Sequence, residues 1–438
     1  VTGSPPLGTG PGQIWRAPRA MHSLDATVEV PGSKSLTNRF LPLAALADAP
    51  VTIRGGLRSR DSDLMIEALR ELGVTVDDDG PEWTVTPGPL RGGGHVFTGL
   101  AGTVMRFVPP LVLLADGPVT FDGDAEARVR PMGPLLDALR ALGAAVADDG
   151  TGTLPFTVTP PAEIPADVDV DASASSQFVT ALLMVAPRLP QGLTIRHTGA
   201  TLPSLPHIDM TCQTLREAGV RVDQPNERTW TVHPGPIALG NVRVEPDLSN
   251  AGPFIAAPLV AGGTVRIPGW PASTTQPGAL FPEILESMGA TCSLDGDVLS
   301  VTAPGLANGE IAGIDADLSP AGEITPTIAA LCALAASPSV ISGIGHLRGH
   351  ETDRLKAIST EVDRLGGRCL AGDDSLKFDG MPLGGLTGAT METYHDHRMA
   401  TFAAVIGLAA DSVDVLHVGT TAKTMPDFPQ MWKDMLSA

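Results

Sequence analysis

Cysteine is scarce in this sequence. The four thiols, Cys212, Cys292, Cys332 and Cys369, lie far apart without C-x-x-C spacing, which excludes a metal knuckle or redox pair and leaves packed thiols of a reducing compartment. Long apolar runs are missing too: the stretch from Phe178 to Pro187 falls well short of a membrane span. Positive charge is in deficit. A formal net charge of −20 and a pI near 4.8 exclude broad binding to nucleic acid or an anionic membrane, both of which call for a basic face. Residues 1–20 are rich in Gly and Pro and lack the apolar core of a secretory signal, so they read as a loose leader, and residues 1–23 have no assigned role. An acidic, Ala/Gly-rich chain of this kind points to a bacterial cytoplasm. What is present is a chain of 438 residues, 43% hydrophobic and 18% charged, too long for one core and sized for two or more globular domains.

Internal repetition organises those residues. A helix-ending pattern recurs as Leu69 to Gly73, Leu139 to Gly143, Leu215 to Gly219, Leu285 to Gly289 and, with Val in first place, Val362 to Gly366. The glycines fall roughly 70 to 77 residues apart, and each predicts a helix C-cap in the left-handed conformation. Ahead of each copy an Ala/Leu-rich helix precedes a short β-branched run: Val51 to Ile53, Val119 to Phe121, Leu193 to Ile195, Val265 to Ile267 and Val340 to Ser342. A sixth helix, Met399 to Ala410, and a strand, Val413 to Val418, close the series. Six such units are economically arranged as two domains of three.

The most polar residues of the chain gather where the first helix of each unit begins. They are Lys34-Ser35 with Asn38-Arg39, Gly102-Thr103 with Arg106, Ser175-Ser176-Gln177, Asp247 with Ser249-Asn250, Glu323, and Asp396-His397-Arg398. Helix capping accounts for Ser249 and Ser175. It does not account for Arg39, Arg106 and Arg398, read here as first-turn residues, where a cation opposes the helix dipole. An anion in front of these helices resolves the conflict, and six such N-termini aimed at one cleft form a positive focus in an acidic protein. A nucleotide P-loop is excluded because Ser33 replaces the glycine required before Lys34.

With these segments in view, the chain resembles the 5-enolpyruvylshikimate-3-phosphate synthases, a family of enolpyruvyl transferases, from about residue 24 onward. The resemblance rests on Pro31 to Ser35 with Thr37-Asn38-Arg39, Ala101-Gly102-Thr103 with Met105-Arg106, Arg130-Pro131, Ser175 to Gln177, Glu351 to Leu355, Asp396 to Ala400 and Ala422-Lys423-Thr424. It implies an α/β fold of two inside-out barrels with six repeated βαβαββ-like units, three per domain. One domain, residues 1–32 with 245–438, takes the phosphoenolpyruvate side and the catalytic glutamates. The other, residues 33–244, takes the shikimate 3-phosphate side, with crossovers near Gly32 and Glu245.

The same resemblance distributes ligands. Lys34, Ser35, Arg39, Ser175, Ser176, Gln177, Ser204, Glu323 and His350 are implied for shikimate 3-phosphate; Lys34, Gly102, Arg130, Gln177, Arg354, Arg398 and Lys423 for phosphoenolpyruvate. Glu323 is the expected base, and Glu351 or Lys34 the source of the proton that reaches carbon. No metal or cofactor is implied, nor any nucleic-acid or membrane partner, and the chain is expected to be a monomer. Four neighbours of the site depart from the family pattern: His350 stands where Lys is frequent, His207 where Tyr is, Leu100 where Asn is and Phe107 where Pro is. Glu323 itself stands where many members have Asp. Gly102 is retained, as in glyphosate-sensitive relatives.

Three other readings are weaker. The spacing of His346 and His350, with His395 and His397, suggests a metal site, but Gly343, Gly345 and Gly349 disfavour the helix it needs. The UDP-N-acetylglucosamine enolpyruvyl transferases typically carry a Lys-Asn pair and a reactive loop cysteine, whereas this chain has Lys34-Ser35 and no cysteine before Cys212. A non-catalytic anion-binding module has no use for both Glu323 and Glu351.

Overall fold

The structure, a computed structural model, describes residues 14–349, 351–381 and 385–438. The chain divides into two units, one of Gly32–Glu245 and one of Pro246–Ala438 joined by the residues up to Pro31, each with its own apolar core.

In Gly32–Glu245, the helices Lys34–Ala45, Gly102–Phe107 and Gln177–Val185 pack on one another and bury nearly all their side chains. Helices apolar on every side belong in an interior. Arg60–Glu71, Gly133–Ala141 and Leu205–Glu217 each bury one stripe only, and with the half-buried strands they form the outer layer. Three four-stranded sheets follow one plan. In the last of them Leu193–His197 runs parallel to Asp167–Val170, with Ile195 opposite Val168, and antiparallel to Thr229–Val232, with Ile195 opposite Trp230. The final strand, Asn241–Arg243, returns to pair with Val51–Arg54, tying the end of the unit to its beginning.

The second unit repeats the scheme around the buried helices Leu248–Ala261, Thr325–Ala333 and His397–Gly407. Both chain ends supply its strands. Leu24–Thr27 pairs with Gly263–Pro268, and Ile14–Arg16 pairs with Asp414–Leu416, where Arg16 lies 2.6 Å from Asp414. The expectation of a loose leader is therefore corrected from Ile14 onward: this short strand finds its hydrogen-bond partners near the other end of the sequence.

The repeated glycines behave as predicted. Gly73, Gly143, Gly219, Gly289 and Gly366 have φ of 84°, 91°, 83°, 111° and 80°, and each ends a helix. Gly32 is needed for a different reason: a Cβ there would stand 1.9 Å from the Gly55 carbonyl oxygen. Two helix-start readings are corrected. Ser249 lies inside its helix, and the cap is Asp247, whose Oδ1 accepts from the Asn250 N–H at 3.0 Å. Of the three arginines only Arg398 is in a first turn; Arg39 sits one turn further in, and Arg106 is in the last turn of Gly102–Phe107. All four cysteines are free, and burial pushes the thiols of Cys212 and Cys332 up to about 12 and that of Cys292 to about 11. No described helix is long and apolar enough to cross a membrane.

Candidate active site

In the unit built from both chain ends, three core helices bring an acid–base set to their N-terminal turns. Asp396 caps His397–Gly407 by accepting from the Arg398 N–H at 2.9 Å. Its carboxylate is also gripped by Arg354, at the start of Arg354–Arg364, with Nε–Oδ2 2.7 Å and Nη2–Oδ1 3.2 Å. Both groups are buried, so the two-pronged pair neutralises charge that water cannot reach. Glu351 takes the other side of Arg354 at 3.6 Å, accepts from Lys423 Nζ through Oε1 and lies 3.1 Å from His397 Nδ1 through Oε2.

Glu323 occupies the 3₁₀ turn Gly322–Ile324 just before Thr325–Ala333. Its Oε2 stands 3.4 Å from both Ser249 Oγ and Arg398 Nη2, and its side chain keeps 30% exposure. Three carboxylates thus share three cations, Asp396 and Glu351 on Arg354, Glu351 also on Lys423, and Glu323 on Arg398. Burial alone would raise the Glu351 carboxyl, but His397, Lys423 and Arg354 outweigh it and hold it well below the usual carboxylate range. Burial lowers His397 against the opposing pull of Glu351, to whose ionised carboxylate its Nδ1–H donates. Its Nε2 is buried without a partner.

Glu351, Asp396 and His397 also present three donor atoms within 4.8 Å of one another. Arg354 and Lys423 already neutralise these carboxylates, so a divalent cation would have to displace both. His346 and His395 are not members of this group.

The Gly32–Glu245 unit holds a separate cationic set. Lys34 begins its helix with Ser33 as cap and reaches Asp61 at 3.3 Å. The helix Gly102–Phe107 starts from Ala101, whose methyl side chain cannot cap it, so its first turn carries no side-chain cap. Arg106 and Arg130 flank this start: a Cβ on Gly102 would lie 2.9 Å from Arg106 Nη1 and 3.2 Å from Arg130 Nη2. Burial, reinforced by the Arg130 charge, lowers Arg106 to about 9, which leaves it cationic near neutrality. Its Nε is buried without a partner, and the guanidinium stands over the Phe178 ring at 5.8 Å.

The sequence profile of EPSP synthase (3-phosphoshikimate 1-carboxyvinyltransferase) matches residues 18–432. The chain belongs to the EPSP synthase family. It is 52% identical over 438 residues to the 3-phosphoshikimate 1-carboxyvinyltransferase of Bifidobacterium longum, covering 97% of this chain and 98% of that one. The protein of the same name from Kocuria rhizophila is 50% identical, with 97% of each chain covered. Among solved structures, EPSP synthase from Acinetobacter baumannii superposes with a TM-score of 0.80 at 22% identity, over 96% of this chain and 98% of that one. The enolpyruvyl transferase NikO from Streptomyces tendae gives 0.75 at 20% identity, over 97% and 98% of the two chains. The paired α/β architecture is that of the EPSP synthase family.

Against this fold, Glu323, Glu351, Arg354, Arg398 and Lys423 come together in one unit, as do Gly102 and Arg130 in the other. Ser175 Oγ accepts from the Gln177 N–H at 3.3 Å, and Ser176 precedes the helix. Ser204 adopts φ 55°, an uncommon left-handed state for a serine, immediately before Leu205–Glu217. Arg39 is 2% exposed: its Nε donates to Thr211 Oγ1, Nη1 to the Ser35 carbonyl and Nη2 to the His207 carbonyl. It therefore ties two helices together beneath Ser35, and His207 meets it through the backbone, not the ring. His350 lies outside the described residues.

In this EPSP synthase family member Asp61 was not among the residues the sequence pointed to, and Asp396 and His397 stood at a helix start without an assigned role in transfer. Asp61 reads as an ordinary helix-start acid, and nothing local links it to Lys34. Asp396 and His397 were within a recognised motif; the missing signal was a partner for Arg354.

Proposed function

We propose that the protein transfers the enolpyruvyl group of phosphoenolpyruvate to the 5-hydroxyl of shikimate 3-phosphate, releasing phosphate, in aromatic amino-acid biosynthesis. The observation that carries the mechanism is the grouping of Glu323 and Glu351 among Arg354, Arg398 and Lys423. Phosphoenolpyruvate is taken by Lys34, Gly102, Arg130, Gln177, Arg354, Arg398 and Lys423. Shikimate 3-phosphate is taken by Lys34, Ser35, Arg39, Ser175, Ser176, Gln177, Ser204 and Glu323, with His350 as a further member.

Glu323 removes the proton of the 5-hydroxyl as its oxygen bonds to C2 of phosphoenolpyruvate, while a proton delivered to C3 makes a methyl group. The resulting tetrahedral intermediate loses phosphate by C–O cleavage, and a proton leaves C3 to restore the double bond. Glu351 supplies and recovers that C3 proton, or Lys34 does. The ionised state of Glu351 fits this cycle once ligand arrives: an anion engaging Arg354 and Lys423 withdraws the cations that hold the carboxylate charged, and its proton affinity rises. Fixed cations that organise both anions supply orientation and preorganised charge. The reading includes a monomer working in a bacterial cytoplasm, with glyphosate competing against phosphoenolpyruvate.

A phosphate-release assay tests it directly. Release requires both substrates, and release from phosphoenolpyruvate alone, or none with both, refutes the transfer. Two further outcomes follow. Gly102→Ala sets a methyl group against the Arg106 and Arg130 guanidiniums and is expected to raise KM for phosphoenolpyruvate by about tenfold, with KM for shikimate 3-phosphate little changed; steady-state kinetics with each substrate varied check this. Because a bound anion raises the proton affinity of a carboxyl held low beforehand, phosphoenolpyruvate binding takes up protons, and weakens as pH rises, over the acid range in which the bound Glu351 carboxyl titrates. Calorimetry in buffers of different ionisation heat reads this uptake, which Glu351→Gln reduces.

A further inference from the structure

The chain from Thr390 to Asp396 is strapped to the helix Arg354–Arg364 through alternate residues. Arg364 Nη1 donates to the Thr390 carbonyl at 3.0 Å, and Glu361 Oε2 accepts from the Glu392 N–H at 3.3 Å. The Tyr394 phenol donates to Glu361 Oε1 at 2.6 Å, and Asp396 closes the series on Arg354. Glu361 is a fully buried carboxylate with no part in the chemistry above. Tyr394 and His395, the two residues before Asp396, adopt φ of 53° and 57°. Consecutive left-handed residues other than glycine persist only where their surroundings over-determine them. The three residues that follow, Asp396, His397 and Arg398, all belong to the acid–base set.

Resting on the enolpyruvyl-transfer reading, we propose that Tyr394 and Glu361 are positioning residues, whose hydrogen bond holds the left-handed turn and so aims Asp396, His397 and Arg398 at phosphoenolpyruvate. Burial raises the Glu361 carboxyl and, with the Glu361 contact, the Tyr394 phenol, so the phenol keeps its proton and remains the donor near neutrality. Neither residue touches substrate. The effect passes through Asp396, whose carboxylate fixes both Arg354 and the first turn that carries Arg398.

The chain contains one tyrosine, so a single ring-labelled tyrosine gives one carbon resonance by nuclear magnetic resonance. Tyr394→Phe is expected to raise KM for phosphoenolpyruvate and lower kcat by about tenfold each, with KM for shikimate 3-phosphate within about twofold of the parent. Glu361→Gln has one acceptor oxygen where Glu361 uses two, for the phenol and for the Glu392 N–H, so it shows the same selective rise in KM for phosphoenolpyruvate, smaller than in Tyr394→Phe. In the labelled parent, saturating phosphoenolpyruvate shifts the Tyr394 signal. An unchanged KM for phosphoenolpyruvate in Tyr394→Phe overturns the proposal, as does an equal rise in both KM values with a lower Tm, which marks general loosening. If Tyr394→Phe does not fold, a parent signal unmoved by phosphoenolpyruvate overturns it. A parent that releases no phosphate with both substrates refutes the transfer reading and this proposal with it, whereas an active parent with an indifferent Tyr394→Phe removes the positioning role alone.

Discussion

Glu323→Ala is expected to lower kcat for phosphate release by about 10²- to 10⁴-fold, the range of a lost general base, while leaving the fold intact. The separation of the two effects comes from its setting. Glu323 is partly exposed and its contacts to Ser249 and Arg398 are long, so truncation strands no buried charge. On the proposed assignment substrate anions still meet Arg354, Arg398 and Lys423, which keeps the expected KM changes small beside the loss in kcat. Glu323→Asp withdraws the carboxylate by one methylene and is expected to retain turnover within about tenfold of the parent, since the acid is still present. Steady-state phosphate release with unfolding curves on the same preparations measures both. Unchanged phosphate release in Glu323→Ala removes Glu323 as the base.

Asp396→Ala is expected to carry the largest stability effect, because it takes from the buried Arg354 guanidinium its two-pronged partner and leaves it the longer contact to Glu351. Breaking a buried pair from one side costs about 3–5 kcal/mol, a large share of the roughly 5–15 kcal/mol that holds a typical domain together. The same substitution removes the helix cap on the Arg398 N–H, worth about 1 kcal/mol more. Calorimetry should show the unit containing Asp396 melting roughly 10 °C lower, with the Gly32–Glu245 unit unaffected. Asp396→Asn preserves shape and the cap and should recover part of the loss. Equal melting of Asp396→Ala and the parent refutes the view that this pair organises the acid–base set.

What could be read from the sequence was local. A glycine that ends a helix must tolerate positive φ whatever lies beyond it, so five repeat boundaries were visible before any contact was known. Motif residues such as Lys34, Gly102 and Glu351 were equally accessible, through the family resemblance that their segments carry. Pairings across the chain were not. Lys34 with Asp61, Arg354 with Asp396 and Ile14–Arg16 with Asp414–Leu416 depend on tertiary approach, and no spacing announces them. Arg39 shows the same limit from the other side: its residue type suggests a ligand contact, while the three hydrogen bonds that fix it between helices, to Thr211, Ser35 and His207, were not legible locally.

Synthesis from one end to the other treats the two units unequally. Residues 32–245 leave the ribosome as an uninterrupted stretch and can complete their sheets while translation continues. Leu24–Thr27, made earlier, must wait for Gly263–Pro268, a delay on the order of ten seconds or more at ordinary elongation rates. During that interval its edge is an open template for chaperones or stray strands. Ile14–Arg16 waits longer still, for Asp414–Leu416, so the acid–base unit can be completed only after those residues have emerged.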